Sequence, residues 1–97
     1  MKAVLLILPV LAACVATPVA RATPFGTYDC DVMRFSLTPD IYTIDGQPRP
    51  VARIDDTDTG VTVTLTDGYR FALSNIVADG ADWFSFASGD SFRCARL

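Results

Sequence analysis

The residues of this chain that could do chemistry are three cysteines, Cys14, Cys30 and Cys94, and a set of acids that are all aspartate. There is no histidine and no glutamate, and the single lysine, Lys2, belongs to the first apolar segment. That inventory excludes more than it offers. Without imidazole, a serine or cysteine nucleophile lacks its usual base and zinc lacks its commonest nitrogen ligand. With no lysine after Lys2, Schiff-base chemistry has no amine to use. Paired aspartates could exchange protons. Yet Asp40, Asp45, Asp55, Asp56, Asp58, Asp67, Asp79 and Asp90 fall in turn-like positions, where the carboxylate ordinarily bonds its own backbone and faces water. Neither catalysis nor a cofactor is expected.

Asp55-Asp56-Thr57-Asp58-Thr59-Gly60 has the D-x-D-x-G start of a calcium loop. No glutamate follows at the twelfth position, and the residues that would complete the loop alternate as a strand, so the stretch is read as a loop tip and no metal is expected.

The cysteines divide by position. MKAVLLILPVLAAC carries one positive charge and then an uncharged apolar stretch from Ala3 to Ala16, interrupted by Pro9. That stretch is short of the ~20 residues that span a bilayer, and it reads as an export signal. Leu11-Ala12-Ala13-Cys14 resembles the lipobox of bacterial lipoproteins, in which the cysteine is diacylated and the chain is cut in front of it. On that reading residues 1–13 are the signal peptide, residues 14–25 a Thr-, Pro- and Ala-rich tether, and residues 26–97 the folded domain. The alternative is Ala20-Arg21-Ala22, a small-x-small pattern that would let a peptidase cut after residue 22 and release a soluble periplasmic or secreted protein. Lipidation is preferred, because Cys14 stands almost at the end of the apolar run. Either way the exported chain meets an oxidising compartment with Cys30 and Cys94 left to pair.

The body from Thr23 onward holds eleven Asp against six Arg, a formal charge of −5 before termini. It has no electrostatic footprint for nucleic acid, and anionic headgroups repel it. Residence at the membrane therefore depends on lipid attached to Cys14.

These residues must be positioned by strands, since good helix formers are scarce while Thr, Val, Ile and aromatics are plentiful. Tyr28 to Val32 alternates apolar with polar, and Met33 to Leu37 alternates one residue out of phase, which predicts a bulge near Val32 and Met33. Turns at Thr38-Pro39-Asp40 and Asp45-Gly46 bracket a strand from Ile41 to Ile44. Pro48 and Pro50 delay the next strand to about Val51, and it runs to Ile54. In VTVTLTDGYRFAL a three-residue loop, Thr66-Asp67-Gly68 with Gly68 left-handed, sets Leu65 opposite Tyr69, Val63 opposite Phe71 and Val61 opposite Leu73. The same loop length applied to DWFSFASGDSFRC puts Ala87-Ser88-Gly89 at the tip, Phe84 opposite Phe92 and Asp82 opposite Cys94. The fold class is all-β: an antiparallel meander of about seven strands of the usual ~5 residues, forming a small barrel or curled sheet.

The expected core is Phe35, Val63, Leu65, Tyr69, Phe71, Phe84, Phe86 and Phe92. So small a body needs a covalent staple. A Cys30–Cys94 disulfide would close nearly the whole domain, worth roughly 4 kcal/mol in the chain-entropy model.

If Phe84 and Phe86 point inward with Phe92, alternation turns Trp83 and Ser85 outward and brings Trp83 near Arg93. Exposed Trp beside Arg is the pairing most enriched at interface hot spots. Trp83, Arg93 and the Ser88-Gly89-Asp90 loop thus form the expected contact patch for an envelope protein partner. The residues taken alone lead to a non-catalytic cell-envelope lipoprotein domain that presents a binding surface.

Tyr28-x-Cys30 opening a small exported β domain, a second cysteine near the end, and Ser88-Gly89-x-x-Phe92 together resemble the membrane-bound inhibitors of c-type lysozyme. The resemblance implies a lipid-anchored β-barrel that inhibits lysozyme by inserting Ser88 into the enzyme's cleft. Phe92 stands where that family has tyrosine, the family's nearby lysine is missing, and the Ser-Gly pair lies in the last hairpin rather than mid-chain.

Overall fold

The turns of this chain are short, so the strands they join lie side by side in sequence order. In the computed structural model, which describes residues 22–97, the strands are β1 (Gly26–Asp29), β2 (Arg34–Leu37), β3 (Ile41–Ile44), β4 (Gln47–Asp56), β5 (Gly60–Leu65), β6 (Arg70–Val77), β7 (Gly80–Ser85) and β8 (Ser91–Arg96). Each pairs antiparallel with the next, and β8 returns to β1, closing the meander as a barrel. No described residue is helical.

Asp45 and Gly46, at φ 48° and 84°, make the two-residue turn that joins Ile44 to Gln47. Positive φ at both positions is what a tight hairpin with the right strand twist requires. The next hairpin has the expected three-residue loop. Val63 faces Phe71, Val61 faces Leu73, the Leu65 amide donates to Tyr69 O at 2.9 Å, and Gly68 has φ 93°.

The structure corrects three details of the strand reading. The phase break at Val32 and Met33 is a complete reversal and not a bulge. Cys30 N donates to Met33 O at 2.9 Å, Asp31 takes φ 74°, and Tyr28 pairs with Phe35. One bulged strand therefore becomes the hairpin β1–β2, and the total rises from about seven to eight.

Pro48 and Pro50 do not delay β4. They lie opposite Thr43 and Ile41, and since Ile44–Gln47 closes the turn, these are the alternate pairs that exchange no backbone hydrogen bonds with β3. Their missing amide protons would point to the β5 side, where pairing begins only at Val51 opposite Leu65.

The third correction concerns the last hairpin. Trp83 pairs with Phe92, Asp82 with Arg93 and Phe84 with Ser91, one residue away from the expected register. A one-residue slip exchanges the two faces of a strand. Ala81, Trp83 and Ser85 of β7 therefore point inward, while Phe84 and Phe86 are 37 % and 46 % exposed.

The interior is filled by a run of rings contributed by six of the eight strands or their margins. Tyr28 stacks on Phe35 at 4.8 Å, Phe35 meets Tyr42 at 5.5 Å, Tyr42 meets Phe71 at 4.3 Å, Phe71 meets Trp83 at 6.3 Å, and Trp83 meets Phe92 at 5.7 Å. Val61, Val63 and Leu65 of β5 are buried against them, with Val51 and Ile54 of β4 partly so. A small barrel has no lumen once side chains of this size enter it. Of the expected core, Phe35, Val63, Leu65 and Phe71 are buried and Tyr69 and Phe92 partly so, whereas Phe84 and Phe86 are outside.

Closure rests on the β1–β8 seam, which has the shortest ladder: Tyr28 opposite Arg96 and Asp29 opposite Ala95. Cys30 and Cys94 occupy the next position in the same register and form the disulfide, at a sequence separation of 64. The bond is thus a covalent rung that continues the ladder where backbone pairing stops.

Candidate functional site

Because the meander alternates direction, its turns fall at two ends of the barrel. Residues 22–25 enter at the end that carries the 78–79 turn. There Arg96 donates from Nη1 to Phe25 O at 2.9 Å and from Nη2 to Thr23 O at 2.6 Å and Val77 O at 3.4 Å, while its guanidinium lies 4.9 Å from the Tyr28 ring centroid. The Tyr28 hydroxyl donates to Pro24 O at 2.8 Å. The last residues before β1 are therefore fastened to the barrel. Cys14, the signal segment and the tether as far as residue 21 lie outside the described residues.

The opposite end carries the loop between β7 and β8. Ser85 N donates to Asp90 O at 2.9 Å and Gly89 N to Ser85 O at 2.8 Å, so the loop comprises four residues, Phe86 to Gly89, with Gly89 at φ 77°. The buried Ser85 hydroxyl holds the loop from inside, accepting from the Tyr69 hydroxyl at 3.0 Å and from Ser88 N at 3.3 Å. Ser88 Oγ in turn accepts from Asp90 N at 3.2 Å. These bonds account for the extra loop residue: once Ser85 turns inward to serve Tyr69 and the Ser88 amide, Phe86 must leave the barrel.

Trp83 is not part of a surface. It is 5 % exposed, sandwiched between Phe71 and Phe92. Its indole N–H and the Tyr42 hydroxyl are both buried without a hydrogen-bond partner. Burial pushes the Tyr42 phenol far above its usual range.

The outer face has a different composition from the expected one. Phe84 and Phe86 meet edge to face, centroids 5.2 Å apart at 88°, and the Arg70 guanidinium lies 4.5 Å from the Phe86 centroid. Arg34, Arg49, Arg53 and Arg93 each pair with an aspartate, and Arg96 with carbonyls. Among the described arginines, Arg70 has neither kind of partner, and its guanidinium rests against a ring instead. Beside Phe84 runs a groove of about 480 Å³ between Ser74, Asp82, Ser91 and Arg93. Arg93 Nη1 donates to Asp82 Oδ1 and Asn75 O, both at 3.2 Å, and Asn75 Nδ2 donates to Asp82 Oδ2 at 2.7 Å. The Asn75 amide first, and Arg93 after it, hold the Asp82 carboxyl below its usual range.

Of the expected site residues, Ser88, Gly89 and Asp90 share the exposed loop and Arg93 lies on the adjoining outer face, while Trp83 is removed to the core. Phe84, Phe86 and Arg70 take its place. A four-residue loop pairs Trp83 with Phe92 and turns Phe84 and Phe86 outward, and nothing within WFSF selects it over a three-residue loop.

Compared with known proteins, the chain matches no family model, no curated protein and no solved structure.

Proposed function

We propose that the chain is a non-catalytic cell-envelope lipoprotein, exported by residues 1–13 and held to the membrane by lipid on Cys14. Its β domain presents a binding surface built from Phe84, Phe86, Arg70 and the Ser88-Gly89-Asp90 loop. The observation that carries this reading is the Phe84–Phe86 pair. Two phenylalanines in contact and turned to solvent are a standing cost in a domain this small unless something covers them, and a stacked arginine beside exposed rings is the composition of an interface hot spot. The loop and Phe86 lie at the barrel end away from residues 22–25, so a domain rooted by its N-terminal segment turns this surface outward.

The test has two arms. Cys14→Ser in the full chain should shift the protein from the membrane fraction to soluble or unprocessed forms, and an unchanged distribution defeats the address. Phe84→Ser with Phe86→Ser should leave the melting midpoint within a few degrees while ending the capture of whatever the wild type cross-links in its envelope. Equal capture by both proteins defeats the binding surface.

A second reading, inhibition of lysozyme, is favoured by one observation: Ser88 lies exposed on a loop at the free barrel end. Undiminished cell-wall hydrolysis by lysozyme in the presence of excess protein removes it.

A further inference from the structure

β8 outruns the strand that closes the barrel against it. β1 pairs with it only at Tyr28 opposite Arg96 and Asp29 opposite Ala95, the disulfide covers Cys94, and at Asp31 the chain turns away into β2. Ser91 to Arg93 are therefore paired with β7 on one side and with no described strand on the other. Bonds at the two ends of β8 fix where its backbone groups point. Arg96 N donates to Asp79 O and Ser85 N to Asp90 O, both at 2.9 Å, so the even-numbered residues bond toward β7. Leu97 N donates to Thr27 O at 2.8 Å, so the odd-numbered ones point to the β1 side. Ser91 and Arg93 thus direct their N–H and C=O groups past the end of β1, where none has a hydrogen-bond partner among the described residues.

β4 also has a stretch that its next neighbour leaves uncovered, since β5 begins to pair only at Val51. There Pro48 and Pro50 occupy the positions whose amide protons would point outward, and proline is a usual means of blunting an edge. The edge of β8 keeps both donors.

We propose that the Ser91–Arg93 edge is a docking site for an extended, basic peptide segment of a partner protein, added antiparallel to β8 in line with β1. The site does not depend on Phe84 and Phe86. Three residues of such a segment match the edge. Those opposite Ser91 and Arg93 exchange the missing backbone bonds and turn their side chains outward, while the one between them points inward. Phe92 and Met33, which border the gap, are only partly buried against the core, so the inward residue is apolar. Outside, a cleft of about 370 Å³ beside Arg93 is lined by Asp29, Asp31 and Asp79. Arg34 pairs with Asp29 and Arg93 with Asp82, whereas Asp31 and Asp79 have no ionic partner among the described residues. An outward lysine or arginine meets these carboxylates, and the acidic surplus of the body, eleven Asp against six Arg, attracts a basic segment from further away.

The experiment adds the blocked peptide acetyl-Thr-Lys-Val-Lys-Val-Lys-Thr-amide to the full chain in detergent and follows backbone amide exchange. Exchange at Ser91 and Arg93 should slow at least about tenfold, and the Phe92 amide, already bonded to β7, should not change. Methylating the lysine backbone nitrogens of the peptide should weaken binding at least about tenfold, the scale of two net hydrogen bonds. Methylating the valine nitrogens should leave it intact. Ser91→Pro removes a donor without breaking a bond to β7, so it should keep the melting midpoint within a few degrees and lose the protection at Arg93. If that variant melts early, the two methylated peptides decide alone. No protection at millimolar peptide, or equal weakening by both methylations, overturns the site. Equal protection by a peptide with glutamate in place of lysine overturns the basic occupant. Protection of both amides before any peptide is added shows an edge already covered, by the chain's own residues or by a second copy, and overturns the proposal.

Discussion

Trp83 lies across the last hairpin from Phe92, the two rings 5.7 Å apart and within 19° of parallel. This single pairing decides which face of β7 meets the core. Truncating Trp83 to alanine should cost about 3–5 kcal/mol, the range for large aromatic to alanine changes in a packed interior, which is enough to unfold a marginal domain. Phe84→Ala, one residue along, should cost less than about 1 kcal/mol, as is usual for side chains outside the core. Chemical denaturation of the two variants checks the register, and equal losses would contradict it.

Most of the barrel was legible because its turns are local. Asp45-Gly46 and Thr66-Asp67-Gly68 fix their own geometry and pass it to the flanking strands, so the register of Val61, Val63 and Leu65 follows from alternation alone. The last hairpin was not legible in the same way. WFSF offers large residues on both faces, and the choice between them is made by Ser85, whose hydroxyl is needed inside by Tyr69 and by the Ser88 amide. That is a contact over 16 residues, invisible to a local pattern. The β1–β2 reversal escaped for a related reason: an aspartate with φ 74° at residue 31 does what a glycine would have announced. Because the site borders both the misjudged loop and the inverted strand, it was the part of the molecule least open to sequence reading.

The disulfide continues a short ladder, so its removal should affect closure before it affects the individual hairpins. A loop of this length is worth about 4 kcal/mol in the chain-entropy model. Cys30→Ala with Cys94→Ala should accordingly lower the melting midpoint by on the order of 20 °C. Amide exchange should accelerate first at the Leu97 amide, which donates to Thr27 O across the seam at 2.8 Å. A midpoint lowered by only a few degrees would show that side-chain packing alone closes the barrel.

Arg96 closes the same seam from the other end. It binds the carbonyls of Thr23, Phe25 and Val77 and stacks on Tyr28. Arg96→Ala removes charge-assisted bonds worth about 1.5–3 kcal/mol each when buried, discounted here because the side chain is partly exposed. It should release residues 22–25 to proteolysis. Arg96→Lys should recover little, since a point ammonium cannot address carbonyls in several directions at once. Limited proteolysis with mass analysis reads the result, and cleavage patterns equal to the wild type would assign the clasp no role.

The dependence of stability on pH should be flat near neutrality and fall on both sides, for separate reasons. On the acid side, Asp29 is held below its ordinary 3.8 by the Asp31 amide first and Arg34 after it, Asp67 by Arg49 first, and Asp82 by the Asn75 amide first. A depressed folded-state pKa means that the unfolded chain binds protons more readily. The stability these groups contribute is complete above the ordinary aspartate value and is lost as pH falls below it. Burial raises Tyr28 and Tyr42 above their ordinary 10.0. Here the sign reverses: the contribution is complete below pH 10 and is lost as pH rises past it, because only the unfolded chain ionises easily. With no histidine in the chain, melting midpoints should stay level between about pH 5 and 9. Tyr42→Phe separates the two limbs. Its hydroxyl is buried without a partner, so removing it should leave stability at pH 7 unchanged or raised. The same substitution should weaken the alkaline loss and leave the acid limb as it was. A destabilised Tyr42→Phe at pH 7 would mean that the hydroxyl is bonded to the Trp83 indole after all, and that the ring stack is pinned by a hydrogen bond as well as by packing.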